Sequence, residues 1–282
     1  LNRVDADTKP PIIWIANQRD GLNAYNYNEQ TFTAYQHNPK NPHSLITNDV
    51  TDISPSTQLD DGLWISTYYR GIEYLDITSG QFTHYNKSTV PGLPCEQTWT
   101  VLDGGDGNLY IGHVGSGFSI LSLKDKSVKN FRNEAGNPMS LPGNDVFCII
   151  KDTNGNIWLG TNKGLALYNA ANENFITFKK NKNDKYDTLC SRILSIRQLK
   201  DNKLWIASEL NGIAILNLKQ SMFLSPEEIS LEYIQEGDDS RSLSNASARC
   251  IFQDSFDNIW IGTWGGGFYF ITSKSDFINN LI

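Results

Sequence analysis

Six copies of one five-residue box, a glycine at a near-constant distance after each, and apolar runs without alternation predict an all-β chain. The architecture they predict is a β-propeller of four-stranded antiparallel blades. The box reads Ile13-Trp14-Ile15-Ala16-Asn17, Leu63-Trp64-Ile65-Ser66-Thr67 and Leu109-Tyr110-Ile111-Gly112-His113. It returns as Ile157-Trp158-Leu159-Gly160-Thr161, Leu204-Trp205-Ile206-Ala207-Ser208 and Ile259-Trp260-Ile261-Gly262-Thr263. The aromatic anchors at 14, 64, 110, 158, 205 and 260 are 50, 46, 48, 47 and 55 residues apart. Gly21, Gly71, Gly117, Gly212 and Gly267 follow their anchors by seven residues, and Gly164 by six. A period of ~47 residues fits a four-stranded blade; a leucine-rich or helical repeat fails on length or on strand chemistry.

Each period reads as four strands in order. The first is β-branched and apolar: Val50 to Ile53, Val146 to Ile150, Ile193 to Ile196, Ala248 to Phe252. A turn follows in which Asp61-Gly62, Asp106-Gly107-Asn108, Asn154-Gly155-Asn156 or Asp257-Asn258 supplies the positive φ of a tight hairpin. The Trp box is the second strand. Its apolar residues are consecutive, where a sheet wet on one face would alternate, so both faces must be covered. The glycine permits the next reversal, and a third strand follows, as in Leu165 to Tyr168 or Ile213 to Leu216. Apolar pairs mark the fourth: Phe32/Tyr35, Phe82/Tyr85, Val128/Phe131, Phe175/Phe178 and Ile278/Leu281. Residues 1 to 7, through Val4 and Asp7, read as the tail of a first strand, and Phe277 to Ile282 as a fourth. The blades therefore run over about 1–43, 44–87, 88–139, 140–187, 188–241 and 242–282, within one propeller domain spanning 1–282. Six such blades either close on themselves or form most of a larger, seven-bladed ring.

Composition excludes several classes. A chain with 39% hydrophobic and 11% aromatic residues is too apolar for disorder. No apolar run approaches the ~20 residues a membrane helix needs. A net charge of -7 argues against a nucleic-acid surface. The chain starts at Leu1 and holds 2 Met, so it is expected to be a segment of a longer protein, with any signal peptide or anchor outside it. Cys95, Cys148, Cys190 and Cys250 are far apart and read as small buried apolar side chains. Cys148 and Cys250 each precede an anchoring Trp by ten residues, which predicts equivalent places in separate blades.

Taken in order, these features resemble the two-component regulator propeller repeat. The fullest copy is Ser140-Leu141-Pro142-Gly143-Asn144-Asp145-Val146, then Asp152, Gly155, Ile157-Trp158-Leu159-Gly160-Thr161-Asn162-Lys163-Gly164-Leu165 and Tyr168-Asn169. Ser44-Leu45 with Asn48-Asp49-Val50, and Ser242-Leu243-Ser244-Asn245, are further copies. Repeat three departs from the pattern, with Tyr110 for Trp and Pro91-Gly92-Leu93 for Ser-Leu; repeat five carries an insertion around Pro226-Glu227-Glu228. The resemblance implies the periplasmic sensor region of a hybrid histidine kinase/response regulator, an inner-membrane protein. It also implies an oligosaccharide or polysaccharide fragment as ligand, the other domains of the same receptor as partners, and signalling through a homodimer. No nucleic acid and no cofactor are expected, and membrane contact only through segments outside this chain. Kinase and regulator motifs are not in this sequence.

No catalytic constellation emerges. His37, His43, His84 and His113 are scattered without metal-ligand spacing. No nucleophile elbow, P-loop or dinucleotide fingerprint is present. Asp61, Asp106, Asp152 and Asp257 sit where hairpins need Asp. Neither an enzymatic activity nor a metal site is therefore expected. Ligand-binding residues should come from what varies on the loops joining strands two and three and on those entering strand one, which share a face of a propeller. Arg19, Tyr69, Arg70, His113, Asn162, Arg192, Glu209 and Trp264 are the candidates, with Tyr68, Asn48, Asp49 and Asp145 beside them. Sugars need flat aromatic faces and planar polar groups, which Tyr69-Arg70 and Trp264 offer. The repeated Trp residues read as core, and Trp99 stays open between core and site. Two alternatives stand beside the sensor reading: a scaffold or dimerisation propeller whose ligand binds elsewhere, and a propeller lyase or glycosidase.

Overall fold

The computed structural model describes residues 2–3, 12–57, 62–178, 187–218, 231–237, 242–243, 245, 247–272 and 278–281. Val4, Asp7, Asp61, the Pro226-Glu227-Glu228 insertion and Phe277 lie outside the described residues. The chain is an all-β propeller of six four-stranded antiparallel blades, each with its strands in sequence order. It packs as two compact units, residues 1–131 and 132–282.

In the first unit, blade one comprises β1 (Asn2–Arg3), β2 (Ile12–Asn17), β3 (Gly21–Asn26) and β4 (Thr31–Tyr35). Blade two comprises β5 (Val50–Pro55), β6 (Gly62–Thr67), β7 (Gly71–Asp76) and β8 (Gln81–Tyr85). Blade three comprises β9 (Thr98–Asp103), β10 (Asn108–His113), β11 (Phe118–Ser122) and β12 (Val128–Phe131). In the second unit, blade four comprises β13 (Val146–Lys151), β14 (Ile157–Thr161), β15 (Gly164–Asn169) and β16 (Asn174–Thr177). Blade five comprises β17 (Ile193–Gln198), β18 (Lys203–Ser208), β19 (Ile213–Asn217) and β20 (Leu231–Ile234). Blade six comprises β21 (Ala248–Gln253), β22 (Ile259–Thr263), β23 (Phe268–Ile271) and β24 (Ile278–Leu281). The Trp boxes are the second strands, as their spacing predicts.

Burial explains the box. Every residue of β6 and of β14 is buried. Trp14, Trp64, Trp158 and Trp205 are core residues, and Tyr110 takes the Trp place in blade three, also buried. Trp260 in the last blade is half-buried. The cores lie between neighbouring blades. Trp64 and Ile72 of blade two share a cluster with Val90, Leu93, Val101 and Leu109 of blade three. Trp158 and Leu165 of blade four pack with Leu189, Ile193 and Leu204 of blade five. The leucine of each Ser-Leu pair reaches this layer: Leu45, Leu141 and Leu243 are inaccessible to solvent. Leu93, behind the divergent Pro91-Gly92, is buried too.

Hairpins are closed by carboxylates. Asp152 accepts bonds from the Asn154 and Asn156 backbone N–H groups and from the Trp158 indole Nε1, the last at 2.9 Å. Asp254, six residues before Trp260, repeats this at 3.1 Å. Burial raises its pKa, and the bonds from Asn258 and Trp260 outweigh that, for a net value below the usual carboxylate range. In blade five Leu199 occupies the Asp position, and the buried Trp205 Nε1 has no partner among the described residues. Gly164 adopts φ 124°, and a Cβ there would lie 2.6 Å from the Leu189 carbonyl of the next blade, so the reversal needs glycine. Cys148 pairs with Gly160 and Cys250 with Gly262, the equivalence predicted from spacing. The four cysteines form no disulfide among the described residues, and the expected burial is incomplete: Cys95, Cys148 and Cys190 are half-buried and Cys250 is exposed.

The Asp152 hub predicts a stability effect. Asp152→Ala leaves an indole N–H and two backbone N–H groups without their acceptor, and should cost about 2–4 kcal/mol. Urea unfolding would read this as a lower midpoint at unchanged slope; an unaltered midpoint would contradict the role.

Candidate functional site

One backbone bond recurs and fixes the loops that carry the candidates. In blades two to six the first residue after the box donates its N–H to a carbonyl just before strand one of the same blade: Tyr68 to Asp49 and Val114 to Gln97. Asn162 to Asp145, Glu209 to Arg192 and Trp264 to Ser247 follow the same rule, at 2.9–3.0 Å. The β-strand two/three loop and the strand-one entry of a blade therefore form one surface, as expected. The last box residue clamps the loop from beneath. Thr67 Oγ1 donates to the Gly71 carbonyl at 2.8 Å, Thr161 Oγ1 to Gly164 at 2.8 Å, and Thr263 Oγ1 to Gly267 at 3.0 Å.

A second recurrence was not visible in the sequence. Strand one of blades two to six shifts register once, so that the pairing with strand two skips Thr51, Trp99, Phe147, Leu194 and Arg249. A bulge re-aims its extra side chain and is commonly found beside functional sites.

In the second unit these two positions converge on an array that crosses blades four, five and six. Glu209 accepts from Arg192 Nη1 at 3.1 Å and from Arg249 Nη2 at 2.9 Å. The Arg192 guanidinium lies over the Phe147 ring at 4.4 Å, and that of Arg249 over the Trp264 ring at 5.0 Å. Trp264 is 71% exposed. Three of the predicted residues, Arg192, Glu209 and Trp264, are thus brought together. Phe147 and Arg249 were missed, because a bulged residue reads as an ordinary strand position. Asn162 is engaged elsewhere in blade four, donating from Nδ2 to Asp145 Oδ2 at 2.8 Å.

The first unit carries an aromatic group of its own. The Tyr68 and Tyr69 rings meet edge-on at 4.4 Å, and Trp99 stands edge-on to Tyr68 at 6.0 Å. Trp99 is thereby placed beside the loop. Tyr69 is 52% exposed, and Arg70 is an exposed turn residue whose N–H donates to Thr67 Oγ1 at 3.2 Å. Arg19 is exposed in the β2–β3 turn at φ 77°.

His113 is not on the loop surface. It is the fifth box residue, equivalent to Thr67 and Thr161, and inaccessible to solvent. Ser119 Oγ donates to Asn130 Oδ1 at 2.7 Å, so it accepts from His113 Nε2–H at 2.8 Å. Burial brings its pKa down to about 4. His84 behaves oppositely. Its bond to the buried Glu73 carboxylate, 3.1 Å, raises its pKa, while desolvation raises that of Glu73. The Pro42 carbonyl, 2.8 Å from Nε2, can only accept and holds a proton on that nitrogen.

The chain is a six-bladed β-propeller, and two stretches of it match a known propeller repeat. The model for that repeat, described as two component regulator propeller, matches residues 140–163 and 242–265. The extracellular domain of a hybrid two-component system from B. thetaiotaomicron is 59% identical with a TM-score of 0.82, over 99% of this chain and 33% of that one. A second such extracellular domain from B. thetaiotaomicron, described as a one-component system, shares the fold at 20% identity and a TM-score of 0.58, over 93% of this chain and 35% of the other. Histidine kinase P4 of Formosa agariphila is 33% identical over 94 residues, 32% of this chain and 7% of that protein. The chain thus spans about a third of the solved extracellular domains and a small part of the kinase. No helix among the described residues is long and apolar enough to cross a membrane.

The two histidines predict opposite pH limbs. His113 has a depressed folded pKa, so between about 6.5 and about 4 the unfolded chain binds more protons and stability falls with acid, by up to about 3 kcal/mol. His84 has a raised folded pKa; its contribution is complete below the ordinary value of 6.5 and is lost as pH rises through the raised one. Denaturation midpoints measured from pH 4 to 9 should show His113→Gln flattening the acid limb and His84→Gln the alkaline one. Limbs unchanged in both variants would contradict these assignments.

Proposed function

We propose that this chain is a non-catalytic, periplasmic ligand-sensing module of a hybrid two-component receptor, and that it recognises an oligosaccharide and signals through a receptor dimer. The observation that carries the reading is Trp264. This ring is 71% exposed on a loop whose backbone is bonded to the strand-one entry, beside two guanidiniums and a carboxylate. An aromatic face next to planar polar groups is what a pyranose ring with its hydroxyls requires. The 59% identity to a two-component extracellular domain supports the receptor context. Non-catalytic recognition is supported by the hairpin carboxylates, since Asp106, Asp152 and Asp254 accept bonds from their own turns.

A specific observation favours a second reading. The chain spans 33% of that extracellular domain, so the ligand site of the whole receptor could lie in another part and this propeller serve as its scaffold. Calorimetry with a panel of plant and host oligosaccharides separates the two. The sensor reading expects saturable binding by the isolated chain, lowered about 10-fold or more in Trp264→Ala with thermal stability kept. Silence across the panel, while the full receptor still responds in cells, would favour the scaffold.

A further inference from the structure

We infer that the Arg192–Glu209–Arg249 bridge, with Trp264 beside it, is a subsite for an acidic sugar: it takes the anionic group, carboxylate or sulfate ester, while Trp264 takes the ring. This deepens the saccharide-sensing proposal and rests on it. One carboxylate serves two guanidiniums, which leaves one positive charge unmatched within the bridge. That excess stands against the trend of a chain whose net charge is -7.

Donor bookkeeping points the same way. A guanidinium carries five N–H donors in a planar fork. Each of the two spends one on Glu209. Arg249 Nε is buried and has no partner among the described residues. The side chains remain open to a visitor, with Arg192 44% and Arg249 37% exposed. Each cation lies over an aromatic ring, Phe147 at 4.4 Å and Trp264 at 5.0 Å, so neither is free to swing into solvent. Two positioned forks suit an anion with several planar or tetrahedral oxygens better than a neutral hydroxyl. Glu209 competes with that anion for the same donors while keeping the forks apart and oriented. A ligand carboxylate or sulfate would exchange one Glu209 contact for its own, without stranding a charge.

The test is calorimetry on the whole chain with three probes: an oligogalacturonate, a sulfated galactan oligosaccharide and a neutral manno-oligosaccharide. One acidic probe should bind, more weakly as salt is raised, and which of them binds distinguishes carboxylate from sulfate. Arg249→Gln should lower its affinity about 30-fold, and Arg192→Gln should lower it as well. Glu209→Gln, which removes the competing anion, should raise it several-fold. A neutral probe that binds as well as the acidic ones, unaffected by Arg249→Gln, would overturn the acidic subsite and leave saccharide sensing standing. If no saccharide binds a chain that melts normally, sensing itself falls and takes the subsite with it.

Discussion

In blades one, two, four and five the second strand depends on the blade that follows. A four-stranded sheet of this size cannot bury both its faces by itself, so the next blade lays its first strand and its strap leucine over the Trp box. Trp14 with Leu45 and Val50, Trp64 with Leu93 and Val101, and Trp158 with Leu189 and Ile193 are the same contact made three times. This explains why the box is apolar at consecutive positions, and why the residue two places after its aromatic is Gly, Ser or Ala. In blade four a Cβ at Gly160 would lie 2.8 Å from the Ile193 side chain of blade five. Stability is consequently held in contacts between repeats, the arrangement expected of repeat proteins.

That packing decides where chemistry is free to appear. With box, reversal glycine, strap leucine and hairpin aspartate all committed, variation is left to the residue after the box and the bulged residue of strand one. At the first of these stand Tyr68, Val114, Asn162, Glu209 and Trp264; at the second, Thr51, Trp99, Phe147, Leu194 and Arg249. Small or aliphatic side chains at some places and large polar or aromatic ones at others are what a fixed frame with a variable surface produces. The uniform bond from the loop N–H to the strand-one entry keeps these surfaces rigid while the side chains differ.

The repeated parts were legible because they repeat. A tryptophan every ~47 residues cannot be mistaken for a site, and the strands follow from the box, the glycine and the turn chemistry. The candidate site was legible only in part. Arg192, Glu209 and Trp264 stood out as large polar or aromatic residues on loops. Arg249 did not, because Ala248-Arg249-Cys250-Ile251-Phe252 reads as an apolar strand with one polar interruption. Only the register shift shows that its side chain leaves the alternation. His113 misled for the opposite reason: a histidine near a loop invites a functional reading, whereas aligning the boxes puts it where Thr67, Thr161 and Ser208 are buried. Spacing locates a residue along the chain, and burial needs the neighbouring blade.

The same dependence of blade on blade gives the Arg–Glu–Arg bridge its significance. Phe147 belongs to blade four, Arg192 and Glu209 to blade five, and Arg249 and Trp264 to blade six, so the bridge spans two of the interfaces that hold the second unit together. An exposed ion pair contributes little stability by itself, and here the cohesion comes from the apolar layers beneath. Glu209 can therefore give up one of its contacts at small cost, while the two guanidiniums stay over their rings on strands that cannot shift without opening a core. A ligand that competes with Glu209 would change how blade five meets blade six without unfolding either. Within a frame this rigid, the proposed ligand would act on the rest of the unit at that contact.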